Sequence, residues 1–169
     1  MTEGEKKRMD ENTKPLKWHK FMIYFSLWAG AVLALINSVS FFTGSVYGEY
    51  GRGVYQLFPL MQWIDIAYAL ALIAVAVYSI YTRFQLAGFR KDAPRKLLSL
   101  YAAGFIMNLA YVLCSAVIMT KRLIDLGYPD AAEKVWYFVG RSFWDLLPIV
   151  IMLLINKKYY GKRKELFVN

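Results

Sequence analysis

Four long apolar runs constrain this chain more than any other feature of its sequence. They cover residues 21–42, 60–82, 97–120 and 136–156, each about 21–24 residues long. An α-helix rises about 1.5 Å per residue, so each run is long enough to cross a hydrocarbon core of about 30 Å. We therefore predict an all-α integral membrane bundle of four transmembrane helices. The connecting segments are too short to hold a separate soluble domain.

The distribution of positive charge predicts how the bundle is oriented. Of the 21 Lys and Arg residues, 16 lie before the first run, between the second and third, or after the fourth. Cytoplasmic segments of membrane proteins are enriched in Lys and Arg. We expect both termini to be cytoplasmic, in a multi-pass protein of the plasma membrane. This pattern explains the formal charge of +9 without a nucleic-acid partner.

Few residues of the types that carry catalysis or bind metals occur here. Cys114 is the only cysteine and His19 the only histidine. A disulfide, a Cys-based zinc site or a Ser-His pair would need a second member. We expect no catalytic residue, no cofactor and no metal, and hence no enzymatic activity.

Polar residues inside the apolar runs form the candidate site, which consists of Asp65, Arg141, Asp145, Asn37 and Asn108. A charge near the bilayer centre costs about 2.5–3.5 kcal/mol on insertion scales, so such residues need partners or a function. Asp65 and Arg141 each lie about five residues inside a run, at matching depth, and we expect them to form an ion pair. Asp145 follows Arg141 by one helical turn, on the same face.

The connection between the first two runs, residues 43–59, alternates glycine with tyrosine. It contains Gly44, Gly48, Gly51 and Gly53 with Tyr47, Tyr50 and Tyr55. We predict a flexible outer loop, and an external lid or a shallow re-entrant turn is the alternative. No strand precedes it and no Lys-Ser/Thr follows, so it does not fit a phosphate-binding loop.

The ends of the chain are polar and charged. Residues 1–20 have almost no apolar content and predict a disordered cytoplasmic arm, with Trp18 and His19 packing at the membrane interface. Residues 157–169 form a basic tail that fixes topology and could contact anionic lipid through Lys157, Lys158, Lys162, Arg163 and Lys164.

Gly30 and Ala34 have the small-xxx-small spacing of close helix packing, which is compatible with a homo-oligomer.

Two stretches, KPLKWHKFMIYFSLWAGAVLALINSV and IDIAYALALIAVAVYSIYTRFQLAGFRKDAP, resemble small four-helix membrane proteins of Gram-positive bacteria. Some members carry a zinc ribbon before the first helix. This chain has no cysteine there. The resemblance implies a fold and a bacterial source, and it carries over no functional residue.

These observations leave two interpretations of function. The first is a structural or accessory membrane protein in which the buried polar and charged residues form a network that fixes helix register. The second is a small transporter, channel or ligand-binding protein with an outward-facing polar cavity around Asp65, Arg141 and Asp145. They differ in whether water reaches these side chains.

Overall fold

The computed structural model describes residues 16–167, apart from the side chains of Ala132, Phe138 and Asp145. Within these residues the regular structure is helical and contains no strand. The α-helices are α1 (Lys17–Phe21), α2 (Leu27–Thr43), α3 (Gly51–Leu57), α4 (Pro59–Ala87), α5 (Ala93–Asp125) and α6 (Pro129–Gly161). A π-helical turn, Met22–Ser26, joins α1 to α2, and short 3-10 turns cover Ser45–Tyr50 and Lys164–Leu166.

Four helical segments are long and apolar enough to cross a membrane, as the four runs predict. The first, Lys17–Leu57, contains α1, α2 and α3, and the other three are α4, α5 and α6, of 29, 33 and 33 residues. Turn-forming residues set their ends. Pro59, Pro94 and Pro129 lie in the first turns of α4, α5 and α6, where a missing N–H costs nothing. Gly127, with φ +84°, precedes α6 in a conformation that favours glycine.

Helices α2 and α4 pack closely because small side chains face each other. Ala31 and Ala34 of α2 are buried against Leu72 and Ala76 of α4. Gly30 lies on an exposed part of α2, so Gly30 and Ala34 do not share one free surface. Ala34 contributes to packing within the protomer, and a homo-oligomer through this pair stays a prediction.

Two serines hydrogen-bond across the same interface. The Ser38 hydroxyl donates to the Ala69 carbonyl at 2.9 Å, and the Ser79 hydroxyl donates to the Leu27 carbonyl at 2.9 Å. Both serines are buried. Hydroxyls that bridge helices in this way add modest stability in a membrane. They fix the register of α2 on α4.

The helices then pack in chain order, since α4 packs on α5 and α5 packs on α6. Helix α5 therefore lies between α4 and α6. This order decides which polar residues of the candidate site can meet.

The end of the bundle where the described residues begin and end is closed by an aromatic core. His19 and Tyr160 are buried, and a 3.1 Å hydrogen bond joins His19 Nδ1 to the Tyr160 hydroxyl. Trp18 Nε1 donates to Asn156 Oδ1 at 3.0 Å, which ties α1 to α6. Residues 1–15 of the predicted arm, 1–20, lie outside the described residues. Its last residues differ from the predicted disorder, because 17–20 are helical and His19 is buried. The position of Trp18 and His19 at the membrane interface stays a prediction.

Candidate functional site

The connection after α2 is folded, which corrects the prediction of a flexible loop. We call residues 45–57 the outer cap, because they lie at the end of the bundle away from residues 16 and 167; the cap consists of the 3-10 turn and α3. Gly44, with φ +73°, ends α2 and turns the chain back. Gly51 fits only as glycine, because a Cβ there would lie 2.6 Å from the Gly44 carbonyl oxygen. The glycines predicted to make this segment flexible instead let it fold tightly.

The outer cap and two helices converge on the carboxylate of Asp65. Asp65 is fully buried, with 0% of its surface exposed. Tyr47 and Tyr55 of the cap donate to its Oδ2 at 2.9 and 3.0 Å. Tyr111 of α5 donates to its Oδ1 at 2.9 Å. The outer cap, which directly precedes α4, and the more distant α5 therefore meet at one side chain of α4.

This arrangement matches the chemistry of an ionised carboxylate. Burying such a charge without partners is very costly, whereas hydrogen bonds to it are stronger than bonds between neutral groups. An ionised carboxylate only accepts hydrogen bonds, and each of the three tyrosine hydroxyls donates one. The two oxygens differ, since Oδ2 accepts two of these bonds and Oδ1 accepts one. The three tyrosines with Asp65 are called the tyrosine–aspartate cluster below.

A second layer of aromatic contacts holds Tyr111 in place. The ring of Tyr111 stacks on that of Tyr68, with centroids 4.3 Å apart. Phe41 of α2 packs edge-on against both rings, at 5.3 and 4.8 Å. The Tyr68 hydroxyl donates to Asn108 Oδ1 at 2.7 Å, and Asn108 Nδ2 donates to the Gly104 carbonyl at 2.9 Å. Asn108 is therefore joined to Asp65 through two stacked tyrosines.

The outer cap is also attached away from the carboxylate. Arg122 of α5 donates through Nε to the carbonyl of Leu57, the last residue of α3, at 3.0 Å. A cationic donor at a helix C-terminus satisfies a carbonyl that has no partner within the helix. The Tyr55 hydroxyl also lies 3.4 Å from the Phe41 carbonyl. These two contacts fix the C-terminal end of the cap to the bundle.

The structure brings together two of the five predicted site residues, Asp65 and Asn108. Asn37 and Arg141 lie on exposed parts of α2 and α6. Asp145 lies on α6, and its side chain is outside the described part of the structure.

The expected ion pair between Asp65 and Arg141 is replaced by tyrosine hydrogen bonds. Within residues 16–167, the hydrogen-bond donors to Asp65 are tyrosine hydroxyls. The reason is helix order, because α5 lies between α4 and α6 and presents Tyr111 to the carboxylate. Asp65 and Arg141 lie at a similar depth in their apolar runs, but this does not require that α4 and α6 are in contact.

The sequence predicts Tyr47 and Tyr55 only as loop residues, and Tyr111 is not among the predicted site residues. A signal was present for Tyr111, since it follows Asn108 by three residues and so shares a helix face with a polar residue. Tyrosines that precede and follow a buried acid in the sequence are also suitable donors. The tyrosine side chain is long, so its hydroxyl can reach the carboxylate from a neighbouring element.

The chemistry available at the cluster is hydrogen bonding around one charge. Among residues 16–167, no group of three or more His, Cys, Asp or Glu side chains is placed to hold a metal ion.

Comparison with protein-family models, with curated proteins and with solved structures found no match to this chain. The resemblance to Gram-positive four-helix proteins stays an expectation. The fold and site define a class, that of helical bundles with four segments able to span a membrane.

Proposed function

We propose that this protein is a structural or accessory protein of the plasma membrane that holds a fixed cap at the outer surface of a four-helix bundle. The observation that carries the proposal is the burial of Asp65 with both oxygens bonded to tyrosines, two of them from the outer cap. A carboxylate whose oxygens are bonded internally is suited to stabilising a structure. Its role is to fasten residues 45–57 to α4 and α5.

Insertion in a membrane is supported by the surface of the helices. Large apolar side chains are exposed on every long helix, including Leu33, Val77, Ile106 and Leu154. Soluble monomers rarely expose apolar patches beyond a few hundred Å². Trp63 and Trp136 are exposed near the end that carries the cap. Exposed tryptophan at a helix end is typical of the membrane interface.

The proposed topology places both termini in the cytoplasm and the outer cap outside. We would replace the exposed Cys114 with serine and introduce one cysteine, at Glu49 of the cap or at Lys158 of the tail. A membrane-impermeant maleimide on intact cells should label Glu49→Cys. It should label Lys158→Cys only after permeabilisation. The reverse pattern would overturn the orientation, and equal labelling of both before permeabilisation would overturn the arrangement of spans.

The fastening role is tested by amide hydrogen exchange of the outer cap in Asp65→Asn. We expect faster exchange in residues 45–57, because the neutral amide cannot accept three strong hydrogen bonds. Asp125→Asn is the matched control, since Asp125 is an exposed carboxylate of α5. If exchange in the cap is the same in Asp65→Asn and wild type, the carboxylate does not hold the cap and the proposal is wrong.

A second candidate function is a binding or transport protein whose carboxylate is gated by the cap. The observation that favours it is that Tyr47 and Tyr55 cover Asp65 from a surface element, so that opening the cap would uncover a buried charge. Arg141 is exposed, so this alternative now depends on Asp65 rather than on the predicted cavity with Arg141 and Asp145.

Cation-dependent stability separates the two candidates. The thermal midpoint of the purified protein would be measured with sodium, potassium, calcium and a small organic ammonium ion. A gated site predicts that one of them stabilises wild type and not Asp65→Asn. A fastening role predicts that neutralising Asp65 destabilises the protein whichever cation is present.

A further inference from the structure

A basic groove lies at the end of the bundle opposite the outer cap. It has a volume of about 640 Å³ and runs between the start of α5 and the end of α6. Four exposed cations line it, namely Lys91, Arg95, Lys157 and Lys164. The connection before α5, the first turn of α5, the last turns of α6 and the final 3-10 turn each supply one. Charges distant in sequence are therefore brought around one space.

The floor of the groove is apolar and well supported. It includes Leu98 of α5, with Tyr160 and Phe167. The rings of Tyr160 and Phe167 pack with centroids 5.6 Å apart, and Phe167 also packs on Phe89 at 5.7 Å. Phe167 is buried, so the C-terminal segment is held against the bundle. Lys164, three residues earlier, is thereby kept beside the groove.

The charge balance of the groove favours an anion. Asp92 is the only carboxylate among the described side chains that line it, against four cations. Lys91, Arg95, Lys157 and Lys164 all lie just outside the apolar runs, whereas Leu98 lies just inside one. The groove therefore crosses the boundary between headgroups and hydrocarbon.

We propose that this groove binds one anionic phospholipid, with its phosphate among the four cations and the start of an acyl chain against Leu98. A free phosphate would use the cations but gain nothing from the apolar floor. A neutral lipid would use the floor but leave the cations uncompensated. The site goes beyond the proposed function, and its test in detergent does not depend on Asp65 or on the outer cap.

The structure also separates the tail cations that the sequence treats alike. Lys157 and Lys164 line the groove, whereas Lys158 and Lys162 are exposed and do not line it. The Arg163 guanidinium stacks over the Tyr159 ring, 4.1 Å from its centroid. Diffuse attraction to an anionic surface would use all five cations, but a built groove uses two of them with Lys91 and Arg95.

The test is a titration of the purified full-length protein in a neutral detergent, with thermal stability as the readout. The probes are phosphatidylglycerol, phosphatidylcholine and inorganic phosphate. Each cation at an anionic surface contributes about 1 kcal/mol, which corresponds to roughly fivefold in affinity. The variant Lys157→Gln/Lys164→Gln should therefore bind phosphatidylglycerol roughly 25-fold more weakly. The matched control, Lys158→Gln/Lys162→Gln, should change the affinity by less than about twofold.

Three results would overturn the proposal. Equal stabilisation of wild type by phosphatidylglycerol and phosphatidylcholine would show that charge is not recognised. An equal loss of affinity in the two lysine pairs would show diffuse attraction by the tail. Stabilisation by inorganic phosphate that matches phosphatidylglycerol would assign the groove to a soluble anion.

A second pair of variants keeps the test decisive if the tail variant does not fold. Lys91→Gln/Arg95→Gln removes the two cations on the other side of the groove. Arg90→Gln is its control, because Arg90 is exposed beside them and does not line the groove. We expect roughly 25-fold weaker binding of phosphatidylglycerol in the first and little change in the second. Unchanged affinity in Lys91→Gln/Arg95→Gln would refute a site that spans both helices.

Discussion

Removing single hydroxyls from the tyrosine–aspartate cluster should destabilise the protein by unequal amounts. Each Tyr→Phe change keeps the ring and deletes one hydrogen bond to a charged group, a bond worth about 1.5–3 kcal/mol. Tyr111 is the only described donor to Asp65 Oδ1, whereas Tyr55 shares Oδ2 with Tyr47. Tyr111→Phe leaves one oxygen without its donor and should cost about 3 kcal/mol. Tyr55→Phe leaves one donor on Oδ2 and should cost about 1.5 kcal/mol.

The assay is thermal unfolding of the purified protein in detergent. For a chain of this length, 1 kcal/mol shifts Tm by about 2–4 °C, so we expect decreases of roughly 6–12 °C for Tyr111→Phe and 3–6 °C for Tyr55→Phe. Tyr50→Phe is the matched control, because Tyr50 lies in the same cap but is 79% exposed. Its Tm should change little. If Tyr111→Phe lowers Tm no more than Tyr50→Phe does, or no more than Tyr55→Phe does, the two carboxylate oxygens do not depend on their donors in this way.

Three further predictions follow from other contacts. Gly44→Ala should destabilise the protein by about 2 kcal/mol or more, because φ is +73° and the new Cβ would lie 2.9 Å from a tyrosine ring. The control is Gly53→Ala, where a Cβ would have no atom within 4 Å. In the same unfolding assay this control should be neutral or stabilising. Asp65→Asn and Arg141→Gln should be additive within about 0.5 kcal/mol, and a coupling above about 1 kcal/mol in this double-mutant cycle would indicate a direct pair. Ser79→Ala should cost about 0.6–1.7 kcal/mol through its lost bond to an α2 carbonyl, and an unchanged unfolding midpoint would contradict that role.

The long helices could be predicted because length and composition are local properties. The run 60–82 lies within α4, and 97–120 lies within α5. Each helix extends a few residues beyond its run, since polar residues at the ends continue the helix outside the apolar region. Proline and glycine then set the boundaries, and their positions are visible in the sequence.

The candidate site could be predicted only in part. A buried acid such as Asp65 is conspicuous inside an apolar run, and so is the amide of Asn108. Their partners were not evident, because Tyr47, Tyr55 and Tyr111 are unremarkable in a chain that contains 13 tyrosines. The glycine-rich connection was misread for a related reason, since glycine permits both a flexible loop and a tightly folded cap.

The sequence by itself determined the four helices, the uneven distribution of Lys and Arg, and the need to compensate Asp65 inside an apolar segment. These follow from hydrophobicity, charge and chain length, which act residue by residue. Only the tertiary structure decided that α5 lies between α4 and α6, that the cap folds over Asp65, and that Lys91 and Arg95 share a groove with Lys157 and Lys164. Such contacts depend on which helices become neighbours, and packing of the whole chain selects them among many pairings that local composition allows equally.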